Sequence, residues 1–402
     1  MQKSLSDKQK AILGVLLQQR ILHYGPYMIN KTLSYIRFKP CFQSDEVTFE
    51  VAEKNGIDFN NIVLQRHSCL EPNLKENLES DVFVCRFFDP VNNTVFYAFG
   101  PAMREDDLTS ILDSLCEYGD VMHVCENDSD NKTIKKQVGI TVKDCKVYYV
   151  KQKFSDFGDL DADANKIYYV GFSQGGKQAL EAFYFDAKKY GSSYSSKCEC
   201  ITINGMSLSQ NSYEYIKNLF TEDEFNNLSE KILNVNAVND TVSPMAQVSL
   251  GRTIYFKNCE NASFDGHWIS DIDLEHETLR GWKYYFYHCC YKSILNYIND
   301  NRAIAHKRIK SLFSWFDNDG NQYGRWDIFV CLCVLIRAGF VGFFVGTYQW
   351  AKNKIRERYL QQKNDNGLVN SNIETESNVD IVHEVKEIEV PMLNGLQEKT
   401  EK

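Results

Sequence analysis

Three residues far apart in the chain have the types and surroundings for acyl chemistry: Ser173, Asp240 and His267. Ser173 lies in Gly171-Phe172-Ser173-Gln174-Gly175-Gly176, directly behind the apolar run Ile167-Tyr168-Tyr169-Val170. The predicted elements are a buried strand, a tight glycine-flanked turn and a helix from about Lys177 to Tyr184. On such an elbow the serine stands clear of the sheet, and the glycines keep side chains out of the turn. The backbone N–H of Gln174 then points at an oxyanion forming on an attacked carbonyl. A hydroxyl is a weak nucleophile until a base takes its proton, and the usual base is a histidine oriented by a buried carboxylate.

Both partners follow the serine in the chain. Ile232 to Val238 reads as a strand, and Asn239-Asp240-Thr241-Val242-Ser243-Pro244 puts Asp240 just past its end, in a loop closed by proline. Thr253 to Lys257 reads as another strand, and the polar loop beyond it reaches Asp265-Gly266-His267-Trp268. A Gly-His pair between the last strand and the last helix is the expected place for the base. His276 is the alternative, in the first turn of a helix predicted to begin near Asp273. Of the other histidines, His23, His67 and His123 precede the serine, His306 and His383 lie far beyond the last strand, and His288 falls within a helix. A second oxyanion donor is expected after a hairpin formed by Asp81–Phe88 and Thr94–Phe99. Gly100-Pro101-Ala102-Met103 follows it; Pro101 has no N–H, which leaves Ala102 or Met103.

The elements that must position these residues alternate. A helix is expected from about Ser6, an amphipathic helix over residues 107–118 (Leu108, Ile111, Leu112, Leu115), and a strand at Cys200–Asn204. A helix at Ser212–Phe220 could lie over an acyl site as a lid or pack on the sheet. Strands separated by helices at this spacing predict an α/β architecture with a mostly parallel sheet. Ligands of such sheets bind at the carboxyl ends of the strands, where Ser173, Asp240 and His267 would converge.

These pieces resemble the α/β-hydrolase superfamily. The elbow Gly171-Phe172-Ser173-Gln174-Gly175-Gly176 is similar to that of carboxylesterases and acyl-protein thioesterases. The layout is similar to class 3 lipases: an N-terminal helix precedes a hairpin, Phe99-Gly100-Pro101-Ala102 stands near the position of their Phe-Arg-Gly-Thr, and Asp106-Asp107-Leu108 follows. The resemblance covers about residues 5–300. Gly-Pro-Ala in place of Arg-Gly-Thr removes a hydroxyl from the oxyanion hole, and the lipase Gly-His-Ser-Leu-Gly is Gly-Phe-Ser-Gln-Gly here. What the resemblance implies is a serine hydrolase of carboxylic esters, with a lipid or other acyl ester as substrate and no metal or cofactor. Two alternatives stand beside it. One is a catalytically inactive hydrolase fold acting as a binding or scaffold protein at a membrane; the other is an acyltransferase using the same triad.

The chain has 402 residues, 43% hydrophobic and 25% charged, with a formal charge of −9. That balance is ordinary for a globular protein and argues against a nucleic-acid partner, which needs a basic stripe. The 13 cysteines include several within predicted strands or helices, such as Cys85, Cys289, Cys290, Cys331 and Cys333, and read as buried free thiols. With no apolar leader at Met1–Asp7, they point to a reducing compartment on the cytoplasmic side. Cys198-Glu199-Cys200 has neither a zinc nor a redox spacing and is expected to alternate across a strand.

Residues 1–300 are expected to form the hydrolase-like domain, 301–362 a helical segment, and 363–402 a disordered acidic tail. Residues 273–300 read as one aromatic-rich helix, and Asp317-Asn318-Asp319-Gly320-Asn321 as a turn rather than a calcium loop. Ile328 to Val345 holds one charge, Arg337, and so reaches the lower length limit for a transmembrane helix. Gly342-Phe343-Phe344-Val345-Gly346 is a helix-contact pattern, Tyr348 and Trp350 fit an interface, and Lys352, Lys354, Arg356 and Arg358 follow. The expectation is membrane association through 328–348, by spanning the bilayer or lying on it.

Overall fold

The computed structural model describes residues 5–24, 29–37, 43–68, 84–100, 123–127, 133–137, 151, 161, 163–262, 266–300 and 325–365. Aromatic and β-branched runs make its strands, because such side chains pack well on a pleated, buried surface. They are β1 Val63–His67, β2 Val84–Asp89, β3 Thr94–Phe99, β4 His123–Asn127, β5 Thr133–Gln137, β6 Lys166–Phe172, β7 Cys198–Ile203, β8 Ile232–Ala237, β9 Arg252–Asn258 and β10 Ile272–Thr278. Eight of them form one sheet in the order β1-β2-β3-β6-β7-β8-β9-β10, and β4 pairs with β5. From β3 to β9 the strands run parallel; β1, β2 and β10 are antiparallel additions at the edges.

A parallel sheet needs cover on both faces. On one face lie α1 (Asp7–Tyr24) and α3 (Gln43–Lys54), joined to the sheet through a core that includes Leu16, Phe49, Phe59, Phe87 and Phe172. A short helix, α2 (Leu33–Arg37), precedes α3. The other face carries α4 (Gln174–Ser195), α5 (Gln210–Lys217) and α6 (Glu222–Ser229), through Phe183, Tyr184, Ile216 and Phe225. Each fully buried Phe or Leu contributes about 1.5–3 kcal/mol relative to leaving it in water. Helix starts are capped locally. Ser209 accepts from the Ser212 N–H at α5, and Thr221 and Glu224 form a reciprocal capping box at α6. Beneath the second face runs a buried polar chain: Arg86 to Asp161 at 2.8 Å, Tyr97 to Asp161, Lys151 to Asp186, and Tyr169 to Asp186.

The hairpin, the elbow and the strands after it lie where the sequence puts them, and Cys198 and Cys200 share one buried face while Glu199 turns to Lys10 and Lys166. Three expectations change. The residues from Asp273 do not begin a helix: Ile272–Thr278 is strand β10, its Ile272 and Leu274 buried alternately with polar neighbours, and the helix α7 spans Trp282–Asp300. Of the two readings left open for Ser212–Phe220, lid or packing on the sheet, the second holds: Ile216 is buried in the core with Tyr213 and Tyr215 against it.

The third change concerns 328–348. This stretch is divided among α8 (Arg325–Val341), a π-turn (Gly342–Gly346) and the start of α9 (Thr347–Asp365). Among the described residues no helix is long and apolar enough to cross a membrane. The glycines are spent on an internal contact. A Cβ on Gly342 would lie 2.3 Å from Cys290 Sγ, and one on Gly346 would lie 2.8 Å from the Tyr285 carbonyl oxygen, so the turn packs backbone-close on α7. Residues Met1–Trp350 form one compact unit and Ala351–Lys402 another. The amphipathic stretch 107–118, the acidic turn 317–321 and the tail beyond 365 lie outside the described residues.

Candidate active site

Ser173 stands between the end of β6 and the first turn of α4 with φ 56° and ψ −126°, a left-handed conformation that only glycine adopts freely. Close packing enforces that turn. A Cβ at Gly171 would lie 2.1 Å from the Gly175 oxygen, one at Gly175 would lie 2.2 Å from the Phe99 oxygen, and one at Gly176 would lie 2.8 Å from Gly205 Cα. The three glycines therefore let the serine loop, the exit of β3 and the exit of β7 meet backbone to backbone. The Ser173 carbonyl accepts from the N–H groups of Gly176 and Met206, each at 3.0 Å, which fixes the elbow to the neighbouring loop.

Asp240 follows β8 and is almost fully buried. Its carboxylate accepts the backbone N–H groups of Val242 (3.1 Å) and Ser243 (2.6 Å), so the turn that Pro244 closes also fixes the carboxylate in place. His267 lies on the loop between β9 and β10. Its Nδ1 is 2.7 Å from Asp240 Oδ1, and its Nε2 is 2.9 Å from Ser173 Oγ. With Nδ1–H donated to the carboxylate, the Nε2 lone pair faces the serine hydroxyl. Phe172 stacks on the imidazole at 5.1 Å, fixing the ring plane. The side chain of His267 is 14% exposed, and that of Asp240 is fully covered. A proton can therefore move between serine and imidazole at an open edge while the acid stays dry.

His276 is brought elsewhere. It sits on β10 with its side chain 59% exposed, and its Nδ1 is 2.7 Å from Asp273 Oδ2. Gln174 begins α4, where the first N–H groups have no acceptor within the helix. Ala102 and Met103 lie outside the described residues, as does Asp265. Gly100 is described, and its carbonyl lies against Gly175, so the chain leaves β3 beside the turn that carries Ser173.

Two asparagines at strand ends complete the site, and sequence reading missed both. Asn204, just past β7 with φ 42°, accepts the Ala237 N–H (2.7 Å) and donates to the His267 carbonyl (2.9 Å). Asn258, at the end of β9, accepts the Asn239 N–H (2.9 Å) and donates to the Gly266 carbonyl (3.4 Å). Each ties the acid-bearing turn to the histidine-bearing loop. Their only mark in sequence is a polar residue at the carboxyl end of a strand. His288, read from sequence as a mid-helix residue, supports the same turn: its Nδ1–H donates to the Pro244 carbonyl at 2.9 Å, and burial holds its pKa below the usual value.

A serine elbow after a central parallel strand, an acid after a later strand and a histidine beyond the next are one arrangement. The chain has the α/β-hydrolase fold. No family model and no curated protein matches it. Among solved structures it is similar to Lip2 lipase from Yarrowia lipolytica, at 12% identity and a TM-score of 0.38 over 68% of this chain and 84% of the lipase. A triacylglycerol lipase from Penicillium expansum is similar at 11% identity and a TM-score of 0.32, over 53% and 80%. Rhizomucor miehei triacylglyceride lipase is similar at 13% and 0.35, over 65% and 83%. At these values the likeness is loose. Among the described residues no group of His, Cys, Asp and Glu is placed to hold a metal ion.

Proposed function

We propose that the chain is a serine hydrolase of carboxylic esters, with a lipid ester as substrate. One observation carries the reading: Ser173 Oγ, the His267 imidazole and the Asp240 carboxylate form a continuous hydrogen-bonded line. In the proposed reaction Ser173 Oγ attacks the ester carbonyl as His267 Nε2 takes its proton. Asp240 holds the imidazole in the required tautomer and stabilises the imidazolium. The Gln174 N–H, with that of Ala102 or Met103, receives the oxyanion. His267 then returns the proton to the leaving alcohol, giving an acyl-serine that water cleaves by the same steps in reverse.

The strain held at Ser173 supports a catalytic serine over an inert turn, since such backbone persists where surrounding structure over-determines it. Lipid as substrate is supported by the apolar character of the loops that bear the site. Trp268 stands 45% exposed beside His267. The free buried thiols Cys85, Cys198, Cys200 and Cys289 support a reducing compartment as the place of action.

A fluorophosphonate probe tests the reading. The chain should be labelled at Ser173 and should release acid from soluble and long-chain esters; the Ser173→Ala variant should do neither. Absence of labelling in the unaltered chain favours the scaffold reading. Product formed on an added alcohol in preference to water favours the acyltransferase.

A further inference from the structure

The loop that carries Asp240 lies along α7. Gly281, just ahead of the helix, packs on Val238: a Cβ there would meet Val238 Cγ2 at 2.9 Å. His288 donates from Nδ1 to the Pro244 carbonyl at 2.9 Å. Further on, Ile294 and Leu295 join Val242 and Met245 in one apolar cluster. Gly281, His288 and Leu295 recur at intervals of two helical turns, so one line along α7 meets the loop on both sides of Asp240.

His288 is the polar point of that line, and a stacked column stands behind it. Its ring lies parallel to that of Tyr284, with 7° between planes and 5.9 Å between centroids. The Arg280 guanidinium lies 4.4 Å from the centroid of Tyr284, a cation–π contact. Its Nε donates to the Tyr255 hydroxyl at 2.7 Å. Tyr255 belongs to β9 and pairs in register with Asn236 of β8, so the column runs from the sheet at one end to the Pro244 carbonyl at the other. Loss of hydration lowers the pKa of His288; the bond to Pro244 opposes this, and the charges of Lys292 and Arg280 add to it. At neutral pH the imidazole is therefore uncharged, with its proton on Nδ1 where the carbonyl takes it. Loss of hydration raises the pKa of the Tyr284 phenol; Arg280 opposes this, and the Asp240 charge adds to it, which places the column within the field of the acid.

We propose that His288 is a positioning residue for Asp240, held in place by the stack of Tyr284 and Arg280. The inference rests on the reading of Ser173, His267 and Asp240 as a catalytic triad. The path is short. His288 fixes the Pro244 carbonyl, and the same turn supplies the Val242 and Ser243 N–H groups that hold the Asp240 carboxylate. The carboxylate in turn aims Oδ1 at His267 Nδ1. Apolar packing alone does not call for an imidazole at position 288, or for a cation stacked behind it. A donor whose angle is set by a flat column does, because a shift of the turn would swing the carboxylate away from the base.

Steady-state hydrolysis of a soluble ester by the full chain tests it. His288→Leu should lower kcat by about ten- to a hundredfold with KM little changed. His288→Asn, whose amide N–H can reach the same carbonyl, should recover most of that loss. Arg280→Lys keeps the charge and loses the flat stack, and should lower kcat by a smaller factor. Added to Asp240→Asn, His288→Leu should cost nothing more, because the two act on one step. The proton that His267 shares with Asp240 gives a far-downfield NMR resonance; His288→Leu should displace it and His288→Asn restore it. Three results overturn the inference: full kcat in His288→Leu, an asparagine no better than leucine, or the same factor lost with and without Asp240. Should His288→Leu not fold, Arg280→Lys decides, and an unchanged kcat with an unmoved resonance overturns the inference. If the unaltered chain cleaves no ester while the resonance still answers to His288, the hydrolase reading fails and the positioning stands. If ester is cleaved and the resonance ignores His288, the positioning alone fails.

Discussion

His267 Nε2 lies 2.9 Å from Ser173 Oγ although 94 positions separate the two residues. The sheet makes that approach, since both loops leave the same edge of parallel strands. Replacing Ser173 by Ala or His267 by Gln should lower kcat by roughly 10⁵–10⁶, and Asp240→Asn by roughly 10⁴, with double substitutions no worse than Ser173→Ala alone. His276→Gln should leave kcat/KM unchanged, because that ring is paired with Asp273 in solvent. Steady-state hydrolysis of a soluble ester checks all four. A loss in His276→Gln comparable to that in His267→Gln would reject this assignment of the base.

The strain at Ser173 sets the relative stability of its variants. At φ 56° and ψ −126° any Cβ is unfavourable, so Ser173→Gly should be more stable than Ser173→Ala by about 1 kcal/mol, although neither hydrolyses ester. Urea denaturation of the two variants measures it. Equal midpoints would show that the elbow is relaxed.

Asn204 joins the end of β8 to the loop of His267. Asn204→Asp keeps the acceptor for the Ala237 N–H and loses the donor to the His267 carbonyl. Leaving that carbonyl unpaired costs about 1–3 kcal/mol, and the loss should fall on kcat, with KM little changed, since the imidazole is freed to wander. A variant with wild-type kcat and lowered stability would make Asn204 purely structural.

Ser173, Asp240 and His267 were legible because each is announced by its own stretch: an apolar run, then a turn with glycine or proline. Asn204 and Asn258 were not, because one polar residue at a strand end has no period and no partner in sequence. Strand β10 was hidden by its neighbour. Ile272-Asp273-Leu274-Glu275 alternates with period two, yet it runs into the aromatic helix and was absorbed into it. The stretch 328–348 misled for a different reason. Hydropathy scores apolar content alike whether it faces lipid or protein, and the glycine spacing that joins helices in a membrane joins α8 to α7 here.

Acid should weaken this fold through His67. The residue is buried at the end of β1, and loss of hydration pulls its pKa from the usual 6.5 to about 4. Above pH 6.5 the imidazole is neutral folded and unfolded alike, so it contributes no pH dependence. As pH falls towards 4, the unfolded chain takes up a proton that the folded chain refuses, and stability drops by up to about 3 kcal/mol. His288, whose pKa burial also lowers, acts with the same sign. His67→Gln removes the first contribution. Urea midpoints at pH 7 and pH 4.5 should therefore converge in the variant relative to the unaltered chain, whatever the carboxylates add to both. Parallel curves would mean that His67 gains its proton without leaving its place.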